Sequence, residues 1–253
     1  MDTLSVYAQI LTERIQAIVQ TQREALENAA EHIAQAIAQD RRVHVLGTGA
    51  HSMMAAEEVL WRAGGLAAWN PILDPGTSLL HGAKRSVSFE RMPGYGVAVL
   101  NVNGVGQTEG EIMVLVNAYG IDPMSLDVAL ECRARGVEVI AITSTAYGKS
   151  VPRDSALRHP SGRNLYEAAD LFIDSCVPLG DAVIPVEGID QKVGSASTVL
   201  NSVIMNALQA AVVERLIAKG VEPPVFMSAN LPGGDEANRR WEKRYGPQAR
   251  YML

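Results

Sequence analysis

The stretch that decides the fold covers residues 43–64 and reads VHVLGTGAHSMMAAEEVLWRAG. Its apolar start predicts a short buried strand that ends at Gly47, and residues 51–63 suit an amphipathic helix that stops at two glycines. A strand that enters a helix through a glycine-rich turn directs several backbone N–H groups toward one small volume, which suits an anion such as phosphate. The stretch therefore predicts an anion-binding turn.

The side chains of this turn support the same prediction. Ser52 adds a hydroxyl group, and His51 adds a hydrogen-bond donor or a titratable ring. A dinucleotide fingerprint would need a third glycine where Ser52 stands, so we predict a phosphate site without a dinucleotide. The alternative, which the local sequence leaves open, is a glycine turn that only connects a strand to a helix.

The composition is that of an ordinary globular protein. The length of 253 residues is enough for one large α/β domain with a full core or for two small domains. The residues are 47% hydrophobic and 20% charged, which is typical of folded proteins. The formal net charge of -6 argues against a nucleic-acid partner, since general nucleic-acid binders usually carry a basic face. Because neither a signal pattern nor an apolar run long enough for a bilayer is found, we expect a cytoplasmic protein without a membrane partner.

The N-terminal segment has a helical pattern. Residues 4–39 contain no Gly or Pro and place apolar residues mostly three, four or seven positions apart, which predicts one amphipathic helix or two in succession. Because the segment precedes the first strand, its apolar stripe must pack on the domain or on another subunit, and we favour a homodimer or higher homo-oligomer. We divide the chain into a helical arm (1–40), a ligand-binding domain (41–220) and a C-terminal tail that packs on the domain (221–253).

Further apolar runs predict strands at 66–73, 112–116, 137–142 and 171–173, helices at 123–135 and 195–219, and a short strand or packed segment at 97–102. Residues 74–96 are rich in Gly, Pro and Ser and predict a long surface excursion, and residues 181–194 predict a connector. Strands that alternate with helices favour a parallel sheet, in which ligands bind beyond the carboxyl ends of the strands. The turns at 47–52, 117–122 and 143–145 should therefore meet at one edge.

These segments together resemble the sugar isomerase (SIS) domain family, whose members bind phosphosugars. The resemblance rests on residues 47–52, 114–130 and 137–144. Within the family the chain is most similar to uncharacterised proteins of about this length that are described as phosphosugar isomerases, through motifs at 159–162, 180–182, 221–226 and 228–230. The resemblance implies a flavodoxin-like, doubly wound, parallel five-stranded sheet, an added N-terminal helical arm and a dimer whose active site both subunits complete.

One motif departs from the family pattern. SIS domains usually carry Ser-x-Ser-Gly after the strand that ends here at Val116, and its hydroxyl groups hold the phosphate. This chain has Asn117-Ala118-Tyr119-Gly120 in that place. Gly120 keeps the turn, and the Asn and Tyr side chains can donate hydrogen bonds. The phosphate is therefore held more weakly or held differently, and an unphosphorylated ligand remains an alternative.

The resemblance and the turns at the strand ends give the predicted ligand contacts: Gly47, Thr48, Gly49, Ser52, Asn117, Tyr119, Gly120, Thr143 and Ser144. Aldose–ketose isomerisation also needs a base that moves a proton between adjacent carbons and an acid–base group that serves the oxygens. The candidates are His51 and His159, in loops that contain Gly, Ser or Pro, and Glu58, on the helix that leaves the turn. For Glu58 the alternative is a solvated helix face.

The function that we expect is phosphosugar isomerisation. The alternatives are a phosphosugar sensor without turnover, although the chain lacks a helix-turn-helix module, and a related phosphosugar etherase or deaminase. Polar residues at 181–192 could reach a ligand across a subunit interface, or could form a solvated loop. No cofactor and no metal are indicated, because the histidines and carboxylates lack the spacing of metal ligands on a common helix.

Overall fold

The computed structural model describes residues 2–252. Its centre is a sheet of five parallel strands in the order β2-β1-β3-β4-β5. The strands are β1 (Val43–Gly47), β2 (Trp69–Ile72), β3 (Ile112–Val116), β4 (Glu138–Thr143) and β5 (Leu171–Asp174). Two helices, α1 (Thr3–Thr21) and α2 (Arg23–Ala38), precede the sheet. The predicted α/β fold, with a doubly wound five-stranded parallel sheet and an N-terminal helical arm, is confirmed.

The remaining helices are α3 (Met54–Val59), α4 (Ala83–Glu90), α5 (Tyr95–Asn103), α6 (Pro123–Ala134), α7 (Thr145–Ser150), α8 (Leu165–Ala168), α9 (Ser197–Ala218) and α10 (Gly234–Tyr245). A small antiparallel pair, β6 (Ala182–Ile184) and β7 (Val193–Ser195), precedes α9. Because strand side chains alternate between faces, Val43 and Val45 pack with α2 and α9, whereas Leu46 packs with α5 and α6 on the other face. Both faces of the sheet are thus covered by helices.

The structure corrects three predictions between the strands. Residues 97–102 belong to helix α5 and form no strand. A continuous apolar run of this length does not distinguish a strand from a buried helix, and here Gly94 and Gly104, both left-handed, bound a helix. The predicted excursion at 74–96 contains a short 3-10 turn and α4. The predicted connector at 181–194 forms most of the β6–β7 pair.

The strand order places a crevice beside β1. The chain leaves β1 toward β2 on one side and leaves β3 toward β4 on the other, although β1 and β3 are neighbours. The turns after these two strands therefore diverge, and the carboxyl ends of β1 and β3 form the switch point at which open α/β sheets bind ligands. This position is the one that the sequence predicted for the turn at 47–52.

The arm packs on the domain but leaves an apolar groove open. Helix α2 lies along α9, and a groove of about 260 Å³ runs between the arm and α9, lined by Ile15, Ile18, Val19, Leu26, Val203 and Ala207 among others. Every helix within residues 2–252 is too short or too polar to cross a membrane. The association predicted for the arm remains a prediction, and the apolar groove between the arm and α9 is the surface on which a second subunit would pack.

We expect light scattering to give a mass above the 27.2 kDa of one chain at micromolar concentration. The substitution Val19→Lys should shift the protein toward the monomer, because it places a charge at the groove. The matched control is Val102→Lys, since Val102 is also an exposed valine but lies on α5. A monomeric wild type, or equal behaviour of the two variants, would contradict the prediction.

Candidate functional site

A cleft of about 220 Å³ opens at the carboxyl ends of β1 and β3. Six of the predicted site residues line this cleft: Thr48, Gly49, His51, Ser52, Asn117 and Tyr119. The rest of the lining comes mainly from α4, through Val87, Glu90 and the following Arg91, and from Asp181 and Ser197 beside the start of α9. The turns after β1 and β3 therefore meet as predicted, and α4 closes one side of the space between them.

The turn after β1 depends on glycine at two positions. A Cβ atom added to Gly47 would overlap the backbone of Ser52 and Met53, because the chain folds back directly over the end of β1. Gly49 has a φ of +97°, a conformation that L side chains rarely adopt. A Cβ atom there would also lie 2.7 Å from Oε2 of Glu90. Glycine at both positions therefore allows the backbone of this tight turn to lie close to neighbouring atoms.

This turn presents four successive backbone N–H groups without protein acceptors. The N–H of Thr48 donates to Val116, and the N–H of Met53 donates to Gly49. Between them, the N–H groups of Gly49, Ala50, His51 and Ser52 have no acceptor among residues 2–252. Successive free N–H groups in a turn form a concave site for an anion. The observed turn therefore has the donors that the sequence pattern predicted.

Asn117 joins the two turns that form the cleft. Its Nδ2 donates to the carbonyl oxygen of Thr48 at 2.5 Å and to Oγ1 of the same residue at 3.2 Å. Its Oδ1 accepts from the N–H groups of Tyr119 at 2.9 Å and Gly120 at 2.7 Å. The side chain is almost fully buried. Asn117 thus fixes the backbone of both turns, and its amide is already occupied by protein groups.

Replacing Asn117 by alanine should lower the free energy of unfolding by about 2–3 kcal/mol, because buried backbone groups in both turns lose their partner. Chemical denaturation measures this change. The matched control is Asn206→Ala on α9, because Asn206 is exposed and its loss should change stability by about 0.5 kcal/mol or less. Equal stabilities for the two variants would show that the Asn117 contacts do not hold the turns.

The hydroxyl group of Thr48 points into the protein. Ser125 donates its Oγ–H to the carboxylate of Asp122, at 2.7 Å from Oδ2. The hydrogen bond of 2.5 Å between Thr48 Oγ1 and Ser125 Oγ must then have Thr48 as its donor. The proton of Thr48 is therefore directed toward α6. Ser52 behaves differently, because its Oγ accepts from the N–H of Ala118 and keeps its own proton available.

Two carboxyl groups near the cleft have raised pKa values. Burial raises the pKa of Glu90 to about 8, and the charge of Asp122 adds to the shift, whereas Arg91 opposes it. Burial also raises the pKa of Asp122, against hydrogen bonds from the N–H and hydroxyl groups of Ser125. Because those hydrogen bonds stabilise the ionised form of Asp122, the shared negative charge resides there and Glu90 carries the proton at neutral pH.

The other polar groups of the cleft differ in how many contacts they make with the rest of the protein. Asp181 accepts hydrogen bonds from the N–H groups of Ala196 and Ser197 at 2.9 and 2.7 Å, so its carboxylate occupies the start of α9. The ring of Tyr119 stacks on Tyr147 at 4.2 Å, and burial raises the pKa of its hydroxyl group to about 12. His51 and Arg91 are exposed at the opening and form no hydrogen bond through their side chains within residues 2–252.

Several predicted residues lie outside the lining. Glu58 accepts from Asn206 at 3.2 Å and pairs with Arg62, so it faces α9. His159 lies 3.3 Å from Asp127 on α6. Gly120 is left-handed and covers the buried Thr143, and Ser144 donates its hydroxyl to Val177 at 2.6 Å. The roles predicted for these residues remain predictions, and within one chain none of them reaches the cleft.

Glu90 and Arg91 are the two charged lining residues that the sequence did not predict. Glu90 is the last residue of α4 and Arg91 follows it, inside the segment expected to be a surface excursion. The available signal was weak: a short helical spacing, with Ser86 and Phe89 on the inner side and the charged pair at its end. Among residues 2–252, no group of three or more His, Cys, Asp or Glu side chains is arranged to hold a metal ion.

Sequence comparison relates this chain to one domain family and to proteins that it matches over most of their length. The sequence profile of the SIS domain matches residues 6–144. A UPF0309 protein of Geobacillus thermodenitrificans is 37% identical over 239 residues, which cover 94% of this chain and 93% of the relative. A UPF0309 protein of Brucella anthropi is 40% identical over 223 residues, covering 88% of this chain and 87% of the relative.

Solved structures share the fold at low sequence identity. Phosphoheptose isomerase GmhA from Neisseria gonorrhoeae superposes with a TM-score of 0.56 at 14% identity, covering 83% of this chain and 97% of that chain. The Vibrio vulnificus NanR protein, solved in complex with ManNAc-6P, superposes with a TM-score of 0.50 at 13% identity, covering 97% of this chain and 69% of that chain. The same architecture thus occurs in a phosphoheptose isomerase and in the NanR protein, which was solved in complex with ManNAc-6P.

Proposed function

We propose that this chain, which belongs to the SIS domain family, binds a phosphosugar in the cleft and interconverts its aldose and ketose forms. The observation that supports this most strongly is the run of four free N–H groups at 49–52, located at the switch point of the sheet. Phosphate is the group that such a turn recognises, and sugar phosphates are what SIS domains bind.

The phosphate would lie on the 49–52 turn. Ser52 can donate its hydroxyl group, because its oxygen accepts from Ala118 and leaves the proton free. Arg91 brings a positive charge to the rim of the cleft. Thr48 and Asn117 contribute by holding the turn, since their side chains already bond to protein groups. The departure from Ser-x-Ser-Gly at 117–120 is thus compensated by the first turn and by Arg91.

Isomerisation requires one proton to move between neighbouring carbons. A base removes the proton from the carbon beside the carbonyl group, and an acid protonates the carbonyl oxygen, which gives an enediol. The base then returns the proton to the former carbonyl carbon. His51 is the predicted catalytic residue that lies at the cleft, so we assign it the role of base. The acid–base roles of Glu58 and His159 remain proposals that require the cleft of a partner subunit.

A phosphosugar sensor without turnover is the second candidate. This candidate is supported by the NanR structure, which has the same architecture over nearly the whole of this chain and was solved in complex with ManNAc-6P. Etherase or deaminase chemistry on the same ligand class is a further alternative, because both reactions begin with the same proton abstraction beside a carbonyl group. The isomerase, the sensor and the etherase or deaminase share the proposed phosphate site and differ in what happens to the ligand after it has bound.

A panel of phosphosugars and their unphosphorylated counterparts, screened by thermal shift, tests binding. Ligands that stabilise the protein are then incubated with it in D₂O and followed by NMR, which detects the new sugar and any deuterium that enters when the base exchanges its proton with solvent. Conversion to the other sugar, with or without exchange, supports the isomerase, and tight binding without any change supports the sensor. Arg91→Ala should weaken binding, whereas Arg85→Ala, on the helix that Arg91 follows but over the Phe89 ring, should not. Stabilisation by no phosphosugar would contradict the proposal.

A further inference from the structure

Glu90 reaches into the anion site from the side. It is the last residue of α4, and its carboxyl group lies beside Gly49, so close that a Cβ atom there would be 2.7 Å from Oε2 and 3.1 Å from Cδ. Within the described part of the chain this carboxyl group forms no hydrogen bond and no ion pair. A carboxyl group therefore stands next to free N–H donors with nothing in the protein to bond it.

Two like charges cannot share this space at low cost. An anion on the 49–52 turn would lie against an ionised Glu90, and the nearby charge of Asp122 would add to the repulsion. A neutral Glu90 removes the repulsion and offers an O–H donor to the ligand. The charged and titratable groups that face Glu90 or border the same cleft are Asp122, which caps the start of α6, and Arg91, His51, Tyr119 and Asp181.

We infer that Glu90 is an acid–base residue of this site, and that its neutral form is what allows the anion to bind. The inference rests on the proposed function. The neutral carboxyl group donates its proton to the carbonyl oxygen of the sugar while His51 takes the proton from the adjacent carbon. The Glu90 carboxylate then takes a proton from the neighbouring hydroxyl group, and His51 returns its proton to the former carbonyl carbon. Both residues end as they began.

The first test measures sulfate binding against pH, because sulfate keeps its charge between pH 7.5 and 9.5 and phosphate does not. This range also lies above the one in which histidine ordinarily titrates. The raised pKa of Glu90, about 8, means that the binding form is lost as the pH rises through 8. Wild-type affinity for sulfate should therefore fall up to about tenfold per pH unit above pH 8.

Glu90→Gln should remove this pH dependence, because glutamine imitates the neutral carboxyl group. Its sulfate affinity should change less than about twofold over the same range. The matched control is Glu57→Gln on the exposed side of α3, which removes the same charge outside the cleft and should follow the wild type. A wild type whose affinity does not fall, or a Glu90→Gln variant that falls like it, overturns the inference.

The result also separates the inference from the proposed function. If wild-type protein fails to bind sulfate even at pH 7.5, the anion site itself is absent. If sulfate binds equally at all pH values, the anion site stands and the role of Glu90 is wrong. Should Glu90→Gln not fold, ¹³C NMR titration of the glutamate carboxyl groups in the wild type decides. One glutamate must titrate near pH 8 and move higher when sulfate binds; otherwise the inference fails.

A readout of turnover completes the test once a substrate is known. Glu90→Gln should bind that substrate at pH 7.5 but lose about 10²-fold or more in kcat, because glutamine cannot transfer a proton. Glu90→Asp, which keeps the acid but shortens its reach, should restore part of the rate. Full turnover by Glu90→Gln would contradict the acid–base role.

Discussion

Gly47→Ala should lower the free energy of unfolding by about 3 kcal/mol or more and abolish anion binding. The added methyl group would overlap backbone atoms of Ser52 and Met53, which belong to the turn itself. Overpacking against side chains typically costs about 1–3 kcal/mol because the side chains can move. Here the neighbour is backbone, so the 49–52 turn must shift and its N–H groups no longer converge. Chemical denaturation and sulfate titration measure the two effects.

The matched control is Gly136→Ala at the turn before β4. Gly136 has a φ of +75°, but nothing lies within 4 Å of an added Cβ atom, so only backbone strain of about 1–2 kcal/mol is expected. Sulfate binding should remain, because this turn lies at the opposite edge of the sheet. If Gly47→Ala costs no more than Gly136→Ala and still binds sulfate, the close approach under the turn is not required.

The order of elements around the site was predictable because its signals are local. Gly47 ends an apolar strand and begins a tight turn, and the structure places that turn at the switch point of the predicted parallel sheet. The predicted turn at 117–122 lies beside the turn after β1 because it also follows a strand of the parallel sheet. Such signals depend only on neighbouring residues and on the period of a strand.

What the sequence could not supply are orientations set by distant residues. Thr48 was predicted as a ligand contact, yet Ser125, distant in the sequence, determines where its hydroxyl proton points. Glu90 was not predicted because α4 forms in a segment whose glycines and prolines predict loops, and because its raised pKa depends on its burial and on the charge of Asp122. Residues 97–102 were predicted as a short strand or a packed segment, because a short run of mostly apolar residues carries no period that would distinguish a strand from a helix. Tertiary packing decided each case.

His51→Asn should lower turnover by about 10²- to 10⁴-fold while substrate binding changes little, if the chain is an isomerase. Asparagine keeps much of the size and hydrogen bonding of the ring but cannot accept the carbon-bound proton. Steady-state kinetics, with Kd measured separately, distinguishes loss of the chemical step from loss of affinity. The control is His32→Asn, because His32 pairs with Glu138 at the amino end of β4, away from the cleft.

The same experiment compares the other predicted catalytic residues. Glu58→Gln and His159→Asn should have normal turnover if the cleft of one chain is sufficient, because Glu58 faces α9 and His159 lies beside Asp127. A large loss in either would mean that the residue enters the cleft of a partner subunit, and mixing inactive His51→Asn with inactive Glu58→Gln or His159→Asn should then restore activity in heterodimers.

If His51→Asn keeps full turnover, the base lies elsewhere, with the polar residues at 181–192 next to be tested. A wild type that binds a phosphosugar tightly and converts none would instead identify a sensor.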